Sequence, residues 1–440
     1  MDAKSLAQFV PLFRAAAPYI HAFRGRTFVV AFGGEVVADG HFVGLTHDIN
    51  LLAALDVNIV LVHGARPQID ERLRKRKADI RYVHDMRVTD EETMQDVKEA
   101  NGRLRTEIEA QLSVGLPNTP MANATIRVTS GNFVVARPVG VVEGVDMQYT
   151  GEVRKVHADA IRDRFDAGEV VLVSSLGYSP TGEVFNLTLE DVAMQVATAL
   201  KADKLLFLMD EAGVPAPRSG VRSELTVSEA EQLVKGAKPL RGDSAIYLPF
   251  AIRACRGGVK RVHLLSQHVD GALLLELFTH AGVGTMITQD PLEEVRRATI
   301  DDVGGILQLI EPLEADGTLV KRSRELLEIE IDRFTVVLHD SVIVGCAALY
   351  PFPKESAGEL ACLAVHPDYR GTGAGERLLN HIETSARKAR MKRLFVLTTR
   401  TAHWFVEQGF AEVPVAELPA TRQQMYNFQR RSKVLVKLLK

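Results

Sequence analysis

The chain has 440 residues, which is long enough for two or three domains, each with its own core. Its hydrophobic content of 46% is ordinary for a globular protein, and a formal net charge of −3 gives no sign of polyanion binding. Three cysteines are too few for a disulfide framework or a metal cluster, and no apolar run is long enough to span a bilayer. We therefore expect a cytoplasmic protein that binds no metal, nucleic acid or membrane.

The first predicted element is an amphipathic helix within residues 1–24. Its apolar side chains recur at helical spacing, at Phe9, Phe13, Ala16 and Ile20. The segment has the apolar content of a secretory signal, but it begins Met-Asp, contains Arg14 and carries two prolines. We expect a helix of the mature protein here.

Residues 25–288 alternate predicted strands and helices without a long linker. Short, continuously apolar runs predict the strands, at 28–32, 58–62, 170–175, 205–209 and 262–265. Such runs indicate a parallel sheet covered on both faces. The sequence therefore predicts an α/β domain with an open, parallel-type sheet between layers of helices.

This segment resembles the amino-acid kinase family, and within it N-acetylglutamate kinase. The stretches that carry the resemblance are 32–34, 61–68, 87–90, 208–214 and 271–279. Active kinases of that family place one lysine where this chain has Ala31, and a second where Phe250 follows Pro249. The phosphate turn and the substrate-side pattern have also changed, to Gly64-Ala-Arg-Pro67 and Thr188-Leu-Glu-Asp191. Because phosphoryl transfer depends on cations placed against developing negative charge, we expect no kinase activity.

A linker at 289–294 is predicted to lead into a second domain, 295–440. Its most informative stretch is Arg370-Gly-Thr-Gly-Ala-Gly375, which follows the apolar strand 359–365 and precedes residues with helical spacing at 376–386. A strand, a glycine-rich turn and a helix aim several backbone N–H groups at one point, where an anion binds. The pattern is neither G-x-G-x-x-G nor a P-loop.

The arginine-first loop resembles the pyrophosphate loop of the GCN5-related N-acetyltransferases (GNAT). The resemblance implies a mixed, splayed sheet, with acetyl-CoA as a co-substrate and no permanently bound cofactor. Further stretches fit it, namely 295–303, the hairpin 334–349 around His339-Asp340-Ser341, the strand 394–399 and the helix 403–410. The implied acetyl-CoA contacts are Leu363, Val365, Arg370, Gly371, Thr372, Gly373 and Gly375.

Acetyl transfer to an amine requires a base for the ammonium proton and an acid for the departing thiolate. The resemblance places the base at Glu359, acting through an ordered water; His366 is a rival, although its position beside Pro367 favours a turn role. The family's hydroxyl position for the acid is Thr398, with Thr399 and Tyr426 as alternatives. Attack by the amine is expected to be direct, without an acyl-enzyme.

A kinase-like domain without its lysines, fused to an acetyltransferase, resembles the architecture of the bacterial N-acetylglutamate synthases. That resemblance implies transfer of acetyl from acetyl-CoA to the α-amino group of L-glutamate, the first step of arginine biosynthesis. Two carboxylates on the substrate call for fork-shaped cations. The implied substrate contacts are Lys321, Arg322, Cys362, Arg430 and Ser432.

The same resemblance implies feedback inhibition by L-arginine and a homo-hexamer joined through the N-terminal helix. The positions corresponding to the arginine site are Tyr19, Lys201, Glu276, Gly282 and Gly284. Glu276 would accept the effector's guanidinium or ammonium. Two alternatives remain at this point, namely a working kinase with an accessory domain and a non-enzymatic amino-acid sensor.

Overall fold

The computed structural model describes residues 3–217, 220–236, 239–279, 282–340, 342–428 and 430–439. The chain divides into two compact units, Met1–Asp290 and Pro291–Lys440. The division falls inside the predicted linker 289–294, and the first strand of the second unit begins within that linker, at Glu293.

The first unit is a mixed α/β structure. Its described strands are β1 Thr27–Phe32, β2 Asn58–His63, β3 Tyr82–Val83, β4 Met86–Arg87, β5 Arg127–Ser130, β6 Val134–Pro138, β7 Val141–Val142, β8 Val145–Asp146, β9 Gly151–Val156, β10 Glu169–Ser174, β11 Leu176–Tyr178, β12 Val184–Asn186, β13 Lys204–Met209, β14 Glu224–Thr226, β15 Arg261–Ser266 and β16 Thr285–Thr288. Its described helices are α1 Ala3–Phe23, α2 Glu35–Ala38, α3 Phe42–Ala54, α4 Arg66–Arg76, α5 Glu91–Leu112, α6 Ala158–Asp166, α7 Leu189–Leu200, α8 Val227–Val234, α9 Gly242–Arg256 and α10 Ala272–Phe278.

The main sheet of this unit has the strand order β14-β16-β15-β13-β1-β2-β10-β5, and its pairs are parallel except β15 with β16. Alternate residues of β1 enter two different cores: Val29 and Ala31 pack with α7 and α9, while Val30 and Phe32 pack with α3 and α5. Burial on both faces explains why the five strands were continuously apolar in sequence. The predicted parallel sheet between helical layers is confirmed.

Helix α1 runs without interruption through Pro11 and Pro18. At its C-terminal end Phe23 is buried and packs edge-on against Phe28 and Phe278, with ring centroids 5.3 and 5.4 Å apart. Farther towards the N-terminus large apolar side chains are exposed, at Phe9, Val10, Leu12 and Phe13. The helix is therefore anchored at one end and presents an apolar surface at the other. Within the described residues, no helix combines the length and apolar character needed to cross a membrane.

The second unit is built on one seven-stranded sheet. Its described strands are β17 Glu293–Arg297, β18 Phe334–His339, β19 Val342–Phe352, β20 Ala357–Val365, β21 Arg393–Thr398, β22 Ala411–Val413 and β23 Lys433–Leu438. Its described helices are α11 Val303–Ala315, α12 Arg324–Glu330, α13 Ala374–Lys388, α14 Ala402–Glu407 and α15 Ala420–Gln424. The predicted hairpin is β18–β19; of its turn, Ser341 lies outside the described residues.

The strand order is β17-β18-β19-β20-β21-β23-β22, and only the β20–β21 pair is parallel. That pairing covers Ala357 with Arg393, Gly358 with Leu394 and Glu359 with Phe395, and then ends. Both strands continue, β20 to Val365 and β21 to Thr398. The sheet is thus mixed and splays open after Glu359, as the sequence predicted.

Candidate active site

The opening between β20 and β21 contains a backbone irregularity at Cys362. This residue has φ of 52°, in the left-handed region that L-residues seldom occupy, and the pairing of β20 with β19 shifts register between Cys346 and Ala348. A bulge of this kind bends a strand and redirects its backbone groups. The bulge therefore lies on the stretch of β20 that contains Leu363 and Val365, the predicted pantetheine contacts.

Beyond Val365 the chain forms the glycine-rich loop and enters α13. Gly371 and Gly373 have φ of 83° and 88°, conformations in which another residue would be strained. Gly373 caps α13 without a side-chain hydrogen bond, so no side chain of its own occupies the first N–H groups of the helix. Arg370 is exposed beside them, and its guanidinium has no hydrogen bond among the described residues. The loop presents N–H donors, a helix N-terminus and a cation at one point.

Gly375 has a separate steric reason to be glycine. A Cβ atom at this position would lie 3.3 Å from Cζ2 of Trp404 in α14. The first turn of α13 can therefore pack closely against the indole of α14. This contact fixes the direction in which the helix N-terminus points.

Glu359, the predicted base, is the last residue of β20 paired with β21, and it is buried. Its carboxylate accepts two hydrogen bonds from Arg422, from Nε to Oε2 at 2.7 Å and from Nη2 to Oε1 at 3.0 Å. Nη1 of Arg422 also donates to the carbonyl of Met425. The guanidinium therefore fixes the plane of the carboxylate. Each carboxylate oxygen keeps a further lone pair that a water molecule can use.

Thr398, the predicted acid, ends β21, where that strand has diverged from β20. Its hydroxyl lies 2.8 Å from the hydroxyl of Thr401 and accepts backbone N–H groups of Arg400 and Thr401 at 3.3 and 3.0 Å. With its acceptor capacity used, the hydroxyl is oriented to donate. Once the Thr398 proton has left, its oxygen can accept a proton from the Thr401 hydroxyl.

The predicted substrate arginines meet around residues 317–322, between α11 and α12. Arg430 donates from Nη2 to the carbonyls of Gly317 and Thr318, both at 2.9 Å. Arg322 donates to the carbonyl of Val320 at 3.0 Å. Burial acts to lower the pKa of Arg322, but the nearby Cys362 and Tyr350 groups outweigh it, so this pKa is raised. The arginine is therefore close to β20, on which Cys362 lies.

The other two predicted substrate contacts are less constrained. Lys321 is exposed and Ser432 is half-buried. The carbonyl of Ser432 accepts a hydrogen bond from the Tyr426 hydroxyl at 2.6 Å, which ties the loop before β23 to itself. Tyr426, an alternative acid in the sequence, is thereby engaged with backbone.

In the first unit, the predicted effector residue Glu276 lies in a buried cluster on α10. Its Oε1 is 2.7 Å from Nδ1 of His263, and its Oε2 accepts the backbone N–H groups of Val283 and Gly284 at 2.7 and 3.1 Å. Burial acts to raise the pKa of Glu276, but the hydrogen bonds from His263 and the backbone outweigh it and lower this pKa. The carboxylate is held ionised.

His263 connects this cluster to Lys204. Burial lowers the pKa of His263 to about 4, with a further contribution from Lys204. The neutral ring can donate from Nδ1 to Glu276 and accept at Nε2 from the Lys204 ammonium 3.3 Å away. Lys204 also lies 5.3 Å from the ring of Phe23 in α1. The cluster thus extends from α10 to the base of α1.

The remaining predicted effector residues differ in whether they contact this cluster. Gly282 and Gly284 admit no side chain, since a Cβ would lie 2.6 Å from Glu276 Oε2 and 2.3 Å from the Leu264 carbonyl, respectively. Tyr19 is on α1, with its ring centroid 6.1 Å from that of Phe23. Lys201 is exposed at the C-terminal end of α7, and no described contact joins it to Glu276.

Where kinases of the resembled family carry lysines, this unit carries apolar and acidic groups. Ala31 is fully buried in β1, and Phe250 lies within α9. Burial raises the pKa of Glu35, and the nearby carboxylates Asp210 and Asp243 contribute in the same direction. Acidic surroundings of this kind oppose the binding of a nucleotide triphosphate.

Sequence reasoning missed three residues that the structure brings to these clusters: Arg422, Lys204 and His263. For His263 and Lys204 a signal was present, because a titratable residue within or beside a continuously apolar strand must find a buried partner. Arg422 gave no signal, since it lies in the short helix α15, whose approach to β20 depends on the tertiary fold.

Comparisons with known proteins agree with this arrangement. Residues 26–266 match the amino acid kinase family, and residues 306–410 match the acetyltransferase (GNAT) family. Amino-acid acetyltransferases from Ralstonia nicotianae and Edwardsiella ictaluri are 55% and 49% identical over 98% of this chain, covering 96% and 98% of their own lengths.

Two crystal structures of the N-acetylglutamate synthase of Neisseria gonorrhoeae are 39% identical to the chain, each match covering 98% of this chain and 99% of theirs. The complex with coenzyme A and L-arginine superposes with a TM-score of 0.87, and that with coenzyme A and N-acetyl-glutamate with 0.62. The chain belongs to the amino-acid acetyltransferase family, in which an amino acid kinase domain is joined to a GNAT domain.

Proposed function

We propose that this enzyme transfers acetyl from acetyl-CoA to the α-amino group of L-glutamate and is inhibited by L-arginine. The observation that carries the proposal is the opening between β20 and β21. It has the glycine-rich loop beyond the end of β20, and Arg322 close to the bulge at Cys362.

Acetyl-CoA would bind with its pyrophosphate on the N–H groups of residues 371–375, beside the exposed Arg370. Its pantetheine would add to the unpaired backbone of β20 at Leu363 and Val365, as a strand adds to a sheet edge. The thioester would then lie in the opening, between Glu359 and Thr398.

The chemistry is direct attack of a neutral amine on the thioester carbonyl. A water held by Glu359 accepts one ammonium proton, and the neutral amine attacks as the C–N bond forms and the C–S bond breaks. The nitrogen gives up a second proton to the same water, and the thiolate takes a proton from the Thr398 hydroxyl, which solvent replaces through Thr401, so that one proton is released overall. Arg422 holds the Glu359 carboxylate in a fixed orientation. The Thr401 hydroxyl reprotonates Thr398.

L-glutamate would be held by its two carboxylates. Arg322 and Arg430 offer guanidinium groups from two sides of the 317–322 segment, and the exposed Lys321 and the half-buried Ser432 lie near them in the chain. Forked donors suit carboxylates, and a substrate with one carboxylate would leave one arginine without its partner.

L-arginine would bind beside α1 and α10, at the cluster of Glu276, His263 and Lys204. Its cationic groups would replace or extend the contacts of Glu276, and its carboxylate would approach Lys204. The exposed apolar side chains of α1, from Phe9 to Phe13, support assembly of the chain into a homo-hexamer through this helix. The buried, unpaired thiols of Cys255, Cys346 and Cys362 suit a reducing cytoplasm.

The decisive experiment measures thiol release from acetyl-CoA with L-glutamate, with L-aspartate, and with no amine, in the presence and absence of L-arginine. We expect glutamate-dependent release without ATP or metal, and its loss on addition of arginine. Binding of acetyl-CoA without release would favour an amino-acid sensor instead. ATP hydrolysis dependent on N-acetylglutamate would favour a kinase.

A further inference from the structure

A cavity of about 240 Å³ in the first unit lies between α3 and the loop that joins β15 to α10. Its polar lining includes Asp48 from α3, His41 just before α3, and Gln267, His268 and Asp270 from the loop. None of these residues takes part in the acetyl transfer or the arginine response proposed above.

Asp48 is the unusual member of this lining. It is only 6% exposed, yet its carboxyl group has no hydrogen-bond donor and no ion-pair partner among the described residues. A carboxyl group in this position loses its hydration without compensation, which is costly unless a cation or a proton supplies the missing partner.

Asp270 adds a second carboxylate to the same wall. A Cβ atom on Gly44 would lie 2.7 Å from Asp270 Oδ1, so the Asp270 carboxylate lies directly over Gly44, one helical turn before Asp48. Its charge and the burial of Asp48 act in the same direction on the Asp48 carboxyl, whose pKa is raised to about 7 by burial first and by Asp270 second. No described donor neutralises either group.

Gln267 provides an independent observation. Its amide Nε2 donates to Asp210 Oδ1, which leaves its side-chain oxygen buried and without a donor. Nε2 of His268 lies 3.1 Å from the same Asp210 oxygen, and the His268 ring contacts the His41 ring edge-on at 5.3 Å between centroids. One lining residue, Gln267, thus carries a buried acceptor without a donor, beside the carboxylates of Asp48 and Asp270.

We propose that this cavity is a binding site for a small organic cation that carries N–H donors, as alkylguanidinium and alkylammonium groups do. The positive charge is matched by Asp48 and Asp270, and the N–H groups by their oxygens. A cavity of this volume accommodates such a head group with a short carbon chain. The site is distinct from the Glu276 cluster, because none of Glu276, His263 and Lys204 lines the cavity.

The test is a calorimetric titration of the full-length protein at pH 8 with methylguanidinium, and with tetramethylammonium, which has the same charge and no N–H donor. We expect saturable binding of methylguanidinium that is weakened at least tenfold by Asp48→Asn and at least threefold by Asp270→Asn. Tetramethylammonium should bind at least tenfold more weakly than methylguanidinium.

Asp39→Asn is the matched control, since Asp39 is an exposed carboxylate beside the cavity residue Gly40 and should leave the affinity unchanged. Glu276→Gln should leave it unchanged too, which separates this cavity from the effector cluster. The proposal is overturned if the folded wild-type protein shows no saturable binding, or if Asp48→Asn binds as wild type does. It is equally overturned if Glu276→Gln abolishes the binding of methylguanidinium. It also fails if tetramethylammonium, or Mg²⁺ titrated in the same way, binds as tightly as methylguanidinium in a manner that depends on Asp48.

Discussion

Two buried glutamates, one in each unit, have hydrogen-bond partners of different kinds for their carboxylates. Glu359 is paired with a single long side chain, the guanidinium of Arg422. Glu276 is held by the imidazole of His263 and by two backbone N–H groups of the loop at 283–284. A side-chain partner can turn away or be removed by one substitution, whereas backbone donors persist unless the loop moves. The side-chain partner suits a carboxylate that takes part in a reaction. The backbone partners suit a carboxylate whose contacts depend on the position of a loop.

The largest effect is expected from Glu359→Gln, which keeps the shape of the side chain and removes its basicity. We expect kcat to fall by about 10²- to 10⁴-fold, the usual contribution of a general base, with little change in the acetyl-CoA KM. Steady-state kinetics of thiol release measures both. A variant with wild-type kcat would assign the base to another group, with His366 as the next candidate.

The second largest effect is expected at Arg422, the partner of Glu359. Arg422→Met leaves a buried carboxylate without its counter-ion, which costs about 3–5 kcal/mol in the free energy of unfolding for a well-buried pair and less for this partly exposed one. Urea denaturation measures the free energy of unfolding of each variant. The double variant Glu359→Gln/Arg422→Met should recover part of the loss, because it removes the unpaired charge. Additive losses would show that the two side chains do not interact.

A third carboxylate, that of Asp48, has no hydrogen-bond donor among the described residues. Its folded-state pKa of about 7 lies above its ordinary value of 3.8, so the folded protein binds more protons than the unfolded chain between these pH values. The free energy of unfolding should therefore fall as pH rises from about 4 to 7. Asp48→Asn should gain on the order of 2–4 kcal/mol relative to wild type between pH 5 and pH 8. If Asp48→Asn were more stable than wild type by the same amount at pH 5 and at pH 8, the difference would not arise from ionisation of Asp48.

The smallest effect is expected at the other glutamate. Glu276→Ala should weaken inhibition by arginine by about tenfold to a hundredfold, corresponding to roughly 1–3 kcal/mol for donors left without an acceptor. Basal acetyl transfer should remain close to wild type, because the proposed catalytic residues all lie in the second unit. Inhibition curves at fixed substrate concentrations measure the shift. Wild-type sensitivity to arginine would remove Glu276 from the effector site.

The sequence predicted the two folds well because their signals are local. Three features can each be recognised from a few consecutive residues. They are the apolar strands of the first sheet, the helix α13 with Leu378, Leu379 and Ile382 on its buried face, and the positive-φ glycines of the loop. The parallel order of the strands follows from the same runs.

The pairing of charged side chains was not predictable, because it depends on which segments meet in three dimensions. Arg422 reaches Glu359 across 63 positions of sequence, and Lys204 reaches His263 across 59. The resemblance implied Lys201 for the effector site, and the structure adds a second lysine, Lys204 at the start of β13, which contacts His263 of the cluster. Lys201 is the C-cap of α7, with its backbone in the left-handed region, and it is exposed.

The early end of the β20–β21 ladder has a consequence for amide hydrogen exchange. A strand edge inside a sheet, unlike one at the rim, is shielded from other chains by its neighbours and therefore carries little risk of aggregation. Its amides nevertheless lack a ladder partner on that side and should exchange quickly until a ligand's own amides complete the ladder. If pantetheine binds there as proposed, exchange at Leu363 and Val365 should slow on binding, which reports it without turnover and without a label on the co-substrate.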